Sequence, residues 1–198
     1  MSPGSPAELG GVVLSGGGAA RFQGADKASM EVGGTTLLEH VLAALAEVTE
    51  VVVVGEELVT SRPVTFVRED PVGGGPAAGL LAGLTGFPRP PRLTVVLAVD
   101  MPMVTTDTVR RLRVAGERDG DGDGALLVDE DGRRQYLCGV YRTESLRRAA
   151  PAYEQQHGLS MRALLSDLDL VEVPALPGES RDVDTWEDLS ALRERLGG

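Results

Sequence analysis

The run Leu14-Ser-Gly-Gly-Gly-Ala-Ala-Arg-Phe-Gln-Gly-Ala-Asp-Lys27 is the first place in this chain where residue types and spacing could do chemistry. It follows Gly11–Ser15, a short β-branched apolar stretch that reads as a buried strand. Glycines at Gly16, Gly17 and Gly18 let successive backbone N–H groups face one concavity, which makes an anion-binding nest. Lys27 closes the loop with a point charge that can reach phosphates. A P-loop is excluded, because it needs Gly-Lys-Ser/Thr and Lys27 stands between Asp26 and Ala28. A dinucleotide fingerprint is excluded as well, because Arg21 occupies the position of its third glycine. The competing reading is an ordinary flexible connection.

Four carboxylates stand where they could complement such a loop. Asp100 ends the strongest apolar strand, Thr94–Val99, and ligands of open α/β sheets gather at the carboxyl ends of strands. A carboxylate there suits Mg²⁺, which takes oxygen ligands and keeps several waters; Asp100 also suits a helix N-cap or turn. Asp182 and Asp184, in Asp182-Val-Asp184-Thr-Trp-Glu-Asp188, fall on one side of an extended segment. Thr185 with Asp188 forms the pattern of a helix N-terminal box, so capping accounts for part of this motif. Asp70 follows a weaker strand and precedes Gly73-Gly-Gly-Pro76, and it reads equally as a turn residue before Pro71.

The elements that must hold these residues alternate. Strands are expected at Val51–Val54, Thr65–Val67 and Thr94–Val99. Helices are expected from Thr36 through Val48, opened by a Thr36–Glu39 capping box, at Ala77–Leu84 and at Thr106–Ala115. This order predicts an α/β fold with a mostly parallel sheet covered on both faces. Ala125–Val128 and Tyr136–Tyr141 flank an Asp129–Arg134 turn and predict a hairpin. The rest predicts two or three helices and one strand, ending with Thr185–Leu196. Asp119–Gly124 lacks the late glutamate of a calcium loop and reads as an acidic surface link. Cys138 reads as a buried, inert thiol, His40 as a packing or solvent-facing residue and Trp186 as a packing anchor.

Composition narrows the classes. The formal charge is −11, with no cluster of Lys and Arg of the kind that nucleic acid requires. Between Gly11 and Met30, however, two cations stand against one carboxylate, so the acidic excess vanishes at the glycine loop. One cysteine excludes an internal disulfide, and two histidines argue against catalysis by a histidine cluster. No apolar run approaches the ~20 residues that span a bilayer. The first ten residues carry neither a basic nor an apolar signal region and are expected to be a loose leader to a cytoplasmic protein.

Taken together, the motifs resemble those of the molybdenum cofactor guanylyltransferases, a MobA-like nucleotidyltransferase family. The matching segments are LSGGGAARFQGADK at Leu14–Lys27, EDPVGGGPAAG at Glu69–Gly79, VDMP at Val99–Pro102 and DVDTWEDL at Asp182–Leu189. Gln23 stands where the family usually has glycine, Trp186 where it has proline, and Val54-Gly55 where an asparagine often contacts the nucleotide.

The resemblance implies a three-layer α/β/α, Rossmann-like fold of the nucleotide-diphospho-sugar transferase type, with residues 11–198 as a single nucleotidyltransferase domain. It implies transfer of GMP from GTP to the terminal phosphate of molybdopterin, with Mg²⁺ as cofactor. Leu14, Ser15 and Gly16 would read the base, while Gly17, Gly18, Arg21 and Lys27 would hold the triphosphate. Asp70 would contact the nucleotide, and Asp100 with Asp184 would hold the metal. Lys27, Asp100 and Arg21 form the expected catalytic set. The implied partners are small molecules, without nucleic acid or membrane, together with transient contact to cofactor-delivering or molybdoenzyme proteins. Cytidylyl transfer to the same cofactor, nucleotidyl transfer to a sugar or lactyl phosphate, and a non-catalytic nucleotide-binding assembly protein are the alternatives.

Overall fold

The computed structural model describes residues 8–16, 26–70, 72–117 and 122–195. Its centre is a seven-stranded sheet built from β1 (Leu9–Leu14), β4 (Glu50–Val54), β5 (Thr65–Val67), β6 (Leu93–Ala98), β7 (Gly124–Val128), β8 (Arg134–Arg142) and β9 (Leu170–Pro174). The spatial order is β5-β4-β1-β6-β8-β7-β9. All neighbouring pairs are parallel except those made by β8, which runs antiparallel to both β6 and β7. A second, two-stranded ribbon pairs β2 (Glu31–Val32) with β3 (Thr35–Thr36) around the two-residue Gly33-Gly34 turn. That ribbon was not foreseen, because its strands are too short to carry periodicity.

β1 and β6 are buried at every position, as the inner strands of a sheet covered on both sides must be. Alternation then splits each strand between two cores. Val13, Val53, Val95 and Leu97 pack with α1 (Leu37–Ala44), α3 (Thr106–Glu117) and α6 (Trp186–Arg195). Val12, Leu14, Val54 and Val96 pack with α2 (Pro76–Thr85), α4 (Thr143–Ala149) and α5 (Met161–Leu164). The result is the expected three-layer, mostly parallel α/β/α architecture. Each fully buried Val or Leu side chain contributes roughly 1.5–3 kcal/mol of transfer free energy, so these two cores dominate the folding drive.

Several local expectations meet a more specific structure. β1 begins at Leu9, so Leu9 and Gly10 belong to the sheet rather than to the leader. They pair in register with Leu93 and Thr94, and the Glu8 carbonyl accepts from the Leu93 N–H at 3.0 Å. The Thr36 box is one-sided: Thr36 Oγ1 accepts from the Glu39 N–H at 3.2 Å. The Glu39 carboxylate turns instead to the N–H and hydroxyl of Ser61, at 2.7 and 2.5 Å, tying α1 to the segment before β5. The Asp129–Arg134 hairpin is present, with Asp129 Oδ1 accepting from the Asp131 and Arg133 amides. Residues 119–121 of the acidic link lie outside the described residues; Asp123, later in the link, is engaged by Ser145, Arg148 and the Asp169 N–H. Cys138 is fully buried on β8, and burial pushes its thiol far above the ordinary range, which fits an inert role. Trp186 is 48% exposed at the start of α6, so it is not the core anchor expected; Leu189 and Leu192 fill that role.

α2 lies close against the sheet because Gly83 has no side chain. A Cβ there would sit 2.6 Å from Val12 Cγ1 and 3.0 Å from Val54 Cγ2, both on stiff β-branched residues. Gly83→Ala gains up to about 1 kcal/mol of helix propensity but forces an overpacked interface costing about 1–3 kcal/mol. The expected outcome is net destabilisation of about 1–2 kcal/mol, read as a lower urea midpoint at unchanged slope.

Candidate functional site

The site forms where chain order reverses across the sheet. From β1 the chain crosses through α1 to β4 on one side and goes on to the edge strand β5; from there it returns through α2 to β6 on the other side of β1. The crevice beyond the carboxyl ends of β1 and β6 is therefore a topological switch point, the place where such sheets bind ligands. Leu14 ends β1 there with Ser15 next, and Asp100 follows β6. The Leu14 carbonyl accepts from the Val99 N–H at 3.0 Å, which locks the two strand ends together.

Lys27 is carried into this crevice by a single turn of 3₁₀ helix, Lys27–Ser29. Asp26 caps that turn, its Oδ1 accepting from the Ala28 N–H at 3.1 Å. Ala28 and Met30 are buried in the core beside α1, which anchors the backbone that follows the lysine. The Lys27 side chain is only 6% exposed, and its Nζ lies 3.0 Å from Asp184 Oδ1 and 3.5 Å from Asp100 Oδ2. Three residues separated by as many as 157 positions thus meet around one ammonium.

Asp184 reaches the crevice from the far end of the chain. Val183 is buried in the core, and its N–H donates to the Asp100 carbonyl at 2.8 Å, holding the Asp182–Asp184 segment against the end of β6. Beyond it, Thr185 and Asp188 cap α6 reciprocally. Asp188 Oδ2 accepts from the Asp184 and Thr185 amides and the Thr185 hydroxyl, and Thr185 Oγ1 accepts from the Asp188 N–H. The capping reading applies to Asp188, which leaves Asp184 directed at Lys27. A cavity of about 320 Å³ adjoins it, lined in part by Asp182, Asp184, Arg181, Arg195 and Met103.

Burial pushes the Asp100 carboxyl above its ordinary range. Lys27 pulls it down, but Asp184 and Asp182 push it up again, and the net displacement is upward. Among the described residues no three His, Cys, Asp or Glu side chains gather into a metal cage. Asp100 and Asp184 are the two carboxylates that the crevice sets against the Lys27 ammonium.

The other sequence candidates are placed as follows. Ser15 is buried; its hydroxyl donates to the Val54 carbonyl at 3.0 Å and its N–H donates to the same oxygen at 3.1 Å. That hydroxyl fills the space beside Gly55, where a Cβ would lie 2.0 Å from Ser15 Oγ. The absence of an asparagine after β4 is therefore tied to Ser15 by packing. Gly16 borders open space and continues the rim. Gly17, Gly18 and Arg21 lie outside the described residues. Asp70 does not join the Lys27 cluster: its Oδ1 accepts from the Tyr153 hydroxyl at 2.7 Å, and it lines a separate cavity of about 440 Å³ with Arg68, Arg147 and Gln156. His40 sits on α1 with Nε2 at 3.1 Å from the Val32 carbonyl, a packing role.

One supporting residue escaped the sequence reading. Glu179 is 7% exposed and receives hydrogen bonds from Thr108 Oγ1, the Arg111 guanidinium and, at 2.7 Å, the Leu176 N–H. It pins the segment leading to Asp182 and Asp184 onto α3. A glutamate after Pro177-Gly178 reads as a surface turn, and only the tertiary fold reveals its partners. Burial alone would raise its pKa, but the bonds from Arg111, Thr108 and Leu176 outweigh that and hold the carboxyl below its ordinary value.

Glu179→Ala leaves Arg111 to the Pro174 carbonyl and Asp107, unpairs the Leu176 amide and should cost about 3 kcal/mol in urea unfolding. Because the folded pKa is depressed, the Glu179 contribution is complete above the ordinary carboxylate range. It is lost as pH falls through the folded pKa. The stability gap between wild type and variant should therefore narrow on acidification.

Comparison with known proteins agrees with this geometry. The MobA-like NTP transferase domain family matches residues 11–173. A probable molybdenum cofactor guanylyltransferase of Mycobacterium tuberculosis strain H37Rv is 37% identical over 143 residues, 69% of each chain. Among solved structures, molybdopterin-guanine dinucleotide biosynthesis protein A from Archaeoglobus fulgidus superposes with a TM-score of 0.71 at 23% identity, over 94% of this chain and 97% of that one. The 2-C-methyl-D-erythritol 4-phosphate cytidylyltransferase of Thermus thermophilus superposes with a TM-score of 0.68 at 23% identity, over 93% and 97%. The two superpositions speak for the fold alone, whereas the family match and the mycobacterial relative cover enough of the chain to decide its membership. The chain belongs to the MobA-like NTP transferase family.

Proposed function

We propose that this protein transfers GMP from GTP to the terminal phosphate of molybdopterin, releasing pyrophosphate, with Mg²⁺ as cofactor. The observation that carries this reading is the convergence of Lys27, Asp100 and Asp184 at the switch point, directly beyond the strand that leads into the glycine loop. The choice of guanine and of molybdopterin rests on the names borne by the mycobacterial relatives.

A hard divalent cation suits the residues present. Two carboxylates converge on one positive charge, and the upward displacement of Asp100 marks a carboxylate with less counter-charge than its setting calls for. Mg²⁺ commonly takes one or two protein carboxylates and completes its shell with water and substrate phosphates, which matches a donor pair of Asp100 and Asp184. When bound, it supplies charge neutralisation to a triphosphate and to departing pyrophosphate.

The protein's own share of the chemistry is positional and electrostatic. An oxygen of the acceptor phosphate forms a bond to the α-phosphorus while the bond from that phosphorus to the bridging oxygen of pyrophosphate breaks. No side-chain nucleophile is needed, because the attacking group is already an anion. The fold must therefore bring two mutually repelling anions into line. The amides of the glycine loop and the Lys27 ammonium bind the triphosphate, and Asp100 and Asp184 set where the cation stands. Among the described residues no helix is long and apolar enough to cross a membrane. The reading sets the reaction in the cytoplasm, because both substrates are small, charged and dissolved.

Lys27→Ala and Asp100→Ala should each lower GTP-dependent transfer at least about 100-fold, read as pyrophosphate release with molybdopterin supplied. Chelation of divalent ions should abolish transfer, and Mg²⁺ should restore it. Wild-type turnover by Asp100→Ala would refute the metal assignment. Asp100→Asn separates function from folding: the folded state holds the Asp100 proton more tightly than the unfolded chain, so ionisation at neutral pH costs folding free energy. That variant should unfold at the same temperature as wild type or higher, while losing transfer. Among the four nucleotides, GTP with Mg²⁺ should raise the unfolding temperature most.

A further inference from the structure

Lys27 is positioned for more than phosphate binding. Its ammonium is almost fully withdrawn from water and lies between the two carboxylates assigned to the cation, at 3.0 Å from Asp184 and 3.5 Å from Asp100. A divalent ion seated on those oxygens would meet a like charge a few ångströms away, in a partly buried setting where screening by water and salt is weak. We infer that Lys27 is the resident counter-ion of the metal carboxylates in the nucleotide-free protein, and that a triphosphate draws it away, so that nucleotide and divalent ion bind as a coupled pair. This inference rests on the reading of Lys27, Asp100 and Asp184 as the nucleotide and metal site.

The physical case has three parts. First, the two carboxylates belong to segments fixed independently of the lysine. Val183 is buried and bonded to the Asp100 carbonyl, Glu179 is pinned to α3, and Asp188 caps the turn after Asp184. They stay in place when the ammonium leaves, so a donor pair remains for the cation. Second, Lys27 stands at the end of the glycine loop, and its long stem gives the ammonium the reach to move while Ala28 and Met30 keep the backbone anchored. Third, the charges are complementary. A divalent ion brings the two carboxylates one more positive charge than the ammonium does, while the displaced ammonium offsets one charge of the triphosphate.

The coupling is reciprocal. Whatever factor the nucleotide adds to metal affinity, the metal must add to nucleotide affinity. The protein alone would hold Mg²⁺ weakly, and metal-free GTP would bind weakly because Lys27 must first leave two carboxylates.

The test has two arms, both with readouts other than turnover. In the first, Mn²⁺ is titrated into nucleotide-free protein and followed by electron paramagnetic resonance. Lys27→Met should bind Mn²⁺ at least about tenfold more tightly than wild type, and the gain should vanish when Asp100→Asn and Asp184→Asn are added to it. Equal Mn²⁺ affinity in wild type and Lys27→Met overturns the inference. In the second arm the lysine is left intact, which covers the case in which Lys27→Met fails to fold. Binding of GTP is measured by calorimetry in excess chelator. Asp184→Asn should tighten it at least about fivefold, whereas Asp182→Asn, which removes the same charge from the same segment without touching Lys27, should tighten it less. Equal effects of the two substitutions would mean simple repulsion and would overturn the inference. Wild-type protein is checked first for GTP binding with Mg²⁺. Failure there strikes the proposed function itself, while binding there with unmoved Mn²⁺ affinities strikes only the counter-ion role.

Discussion

A lysine ammonium buried to 6% exposure between two carboxylates is the interaction on which the rest of this structure turns. An unpaired cation so placed would be costly, and two carboxylates brought together without it would repel. The ammonium and the carboxylates thus offset one another's charge, yet they come from the turn at Lys27, the end of β6 and the approach to α6. The backbone of each segment is held by its own packing and hydrogen bonds, and the three charges meet in one crevice as a result.

Delivery depends on the two-sided packing of the sheet. Because alternate residues of β1 and β6 face different cores, neither strand can slip by one residue without turning its buried side chains to the wrong layer. The ends of both strands are thereby held in register, and the Leu14–Val99 hydrogen bond joins them. The late segment is fixed by different means. It makes no ladder with the sheet at Asp184, and instead hangs from the Asp100 carbonyl, from the Glu179 contacts on α3 and from the Thr185–Asp188 box. Rigid secondary structure thus carries Asp100, and a set of hydrogen-bonded turns carries Asp184.

The stabilising and functional demands conflict at Asp100. Burial and two neighbouring aspartates press its carboxyl toward the neutral form, and one lysine opposes them. A carboxylate whose burial and neighbours favour the neutral form, set in a crevice, is the kind of group that marks a candidate functional site. Glu179 shows the contrasting case: an equally acidic side chain, less exposed to solvent, whose hydrogen bonds outweigh burial and favour the anion.

Much of this was legible in the linear chain. Apolar β-branched runs named β1, β4 and β6, and alternation with helical periodicity implied the parallel sheet. Lys27 and Asp100 stood at a glycine loop and a strand end, where a turn or cap was an equally good reading of the carboxylate, and Asp184 was set apart from Asp182 only by the family resemblance. Those are local properties, written in the spacing of neighbours. The sequence did not disclose the β2–β3 ribbon, whose strands are too short to show a period, or the exposure of Trp186. Nor did it disclose that Glu39 would bond Ser61, that Asp70 would turn to Tyr153, or that Glu179 would be buried under α3. These last three contacts depend on partners 22 to 83 residues away. The residues' identities and the order of elements were set by local pattern. Which carboxylate meets the lysine, and which is merely a cap or a surface acceptor, was decided by long-range packing that no spacing along the chain encodes.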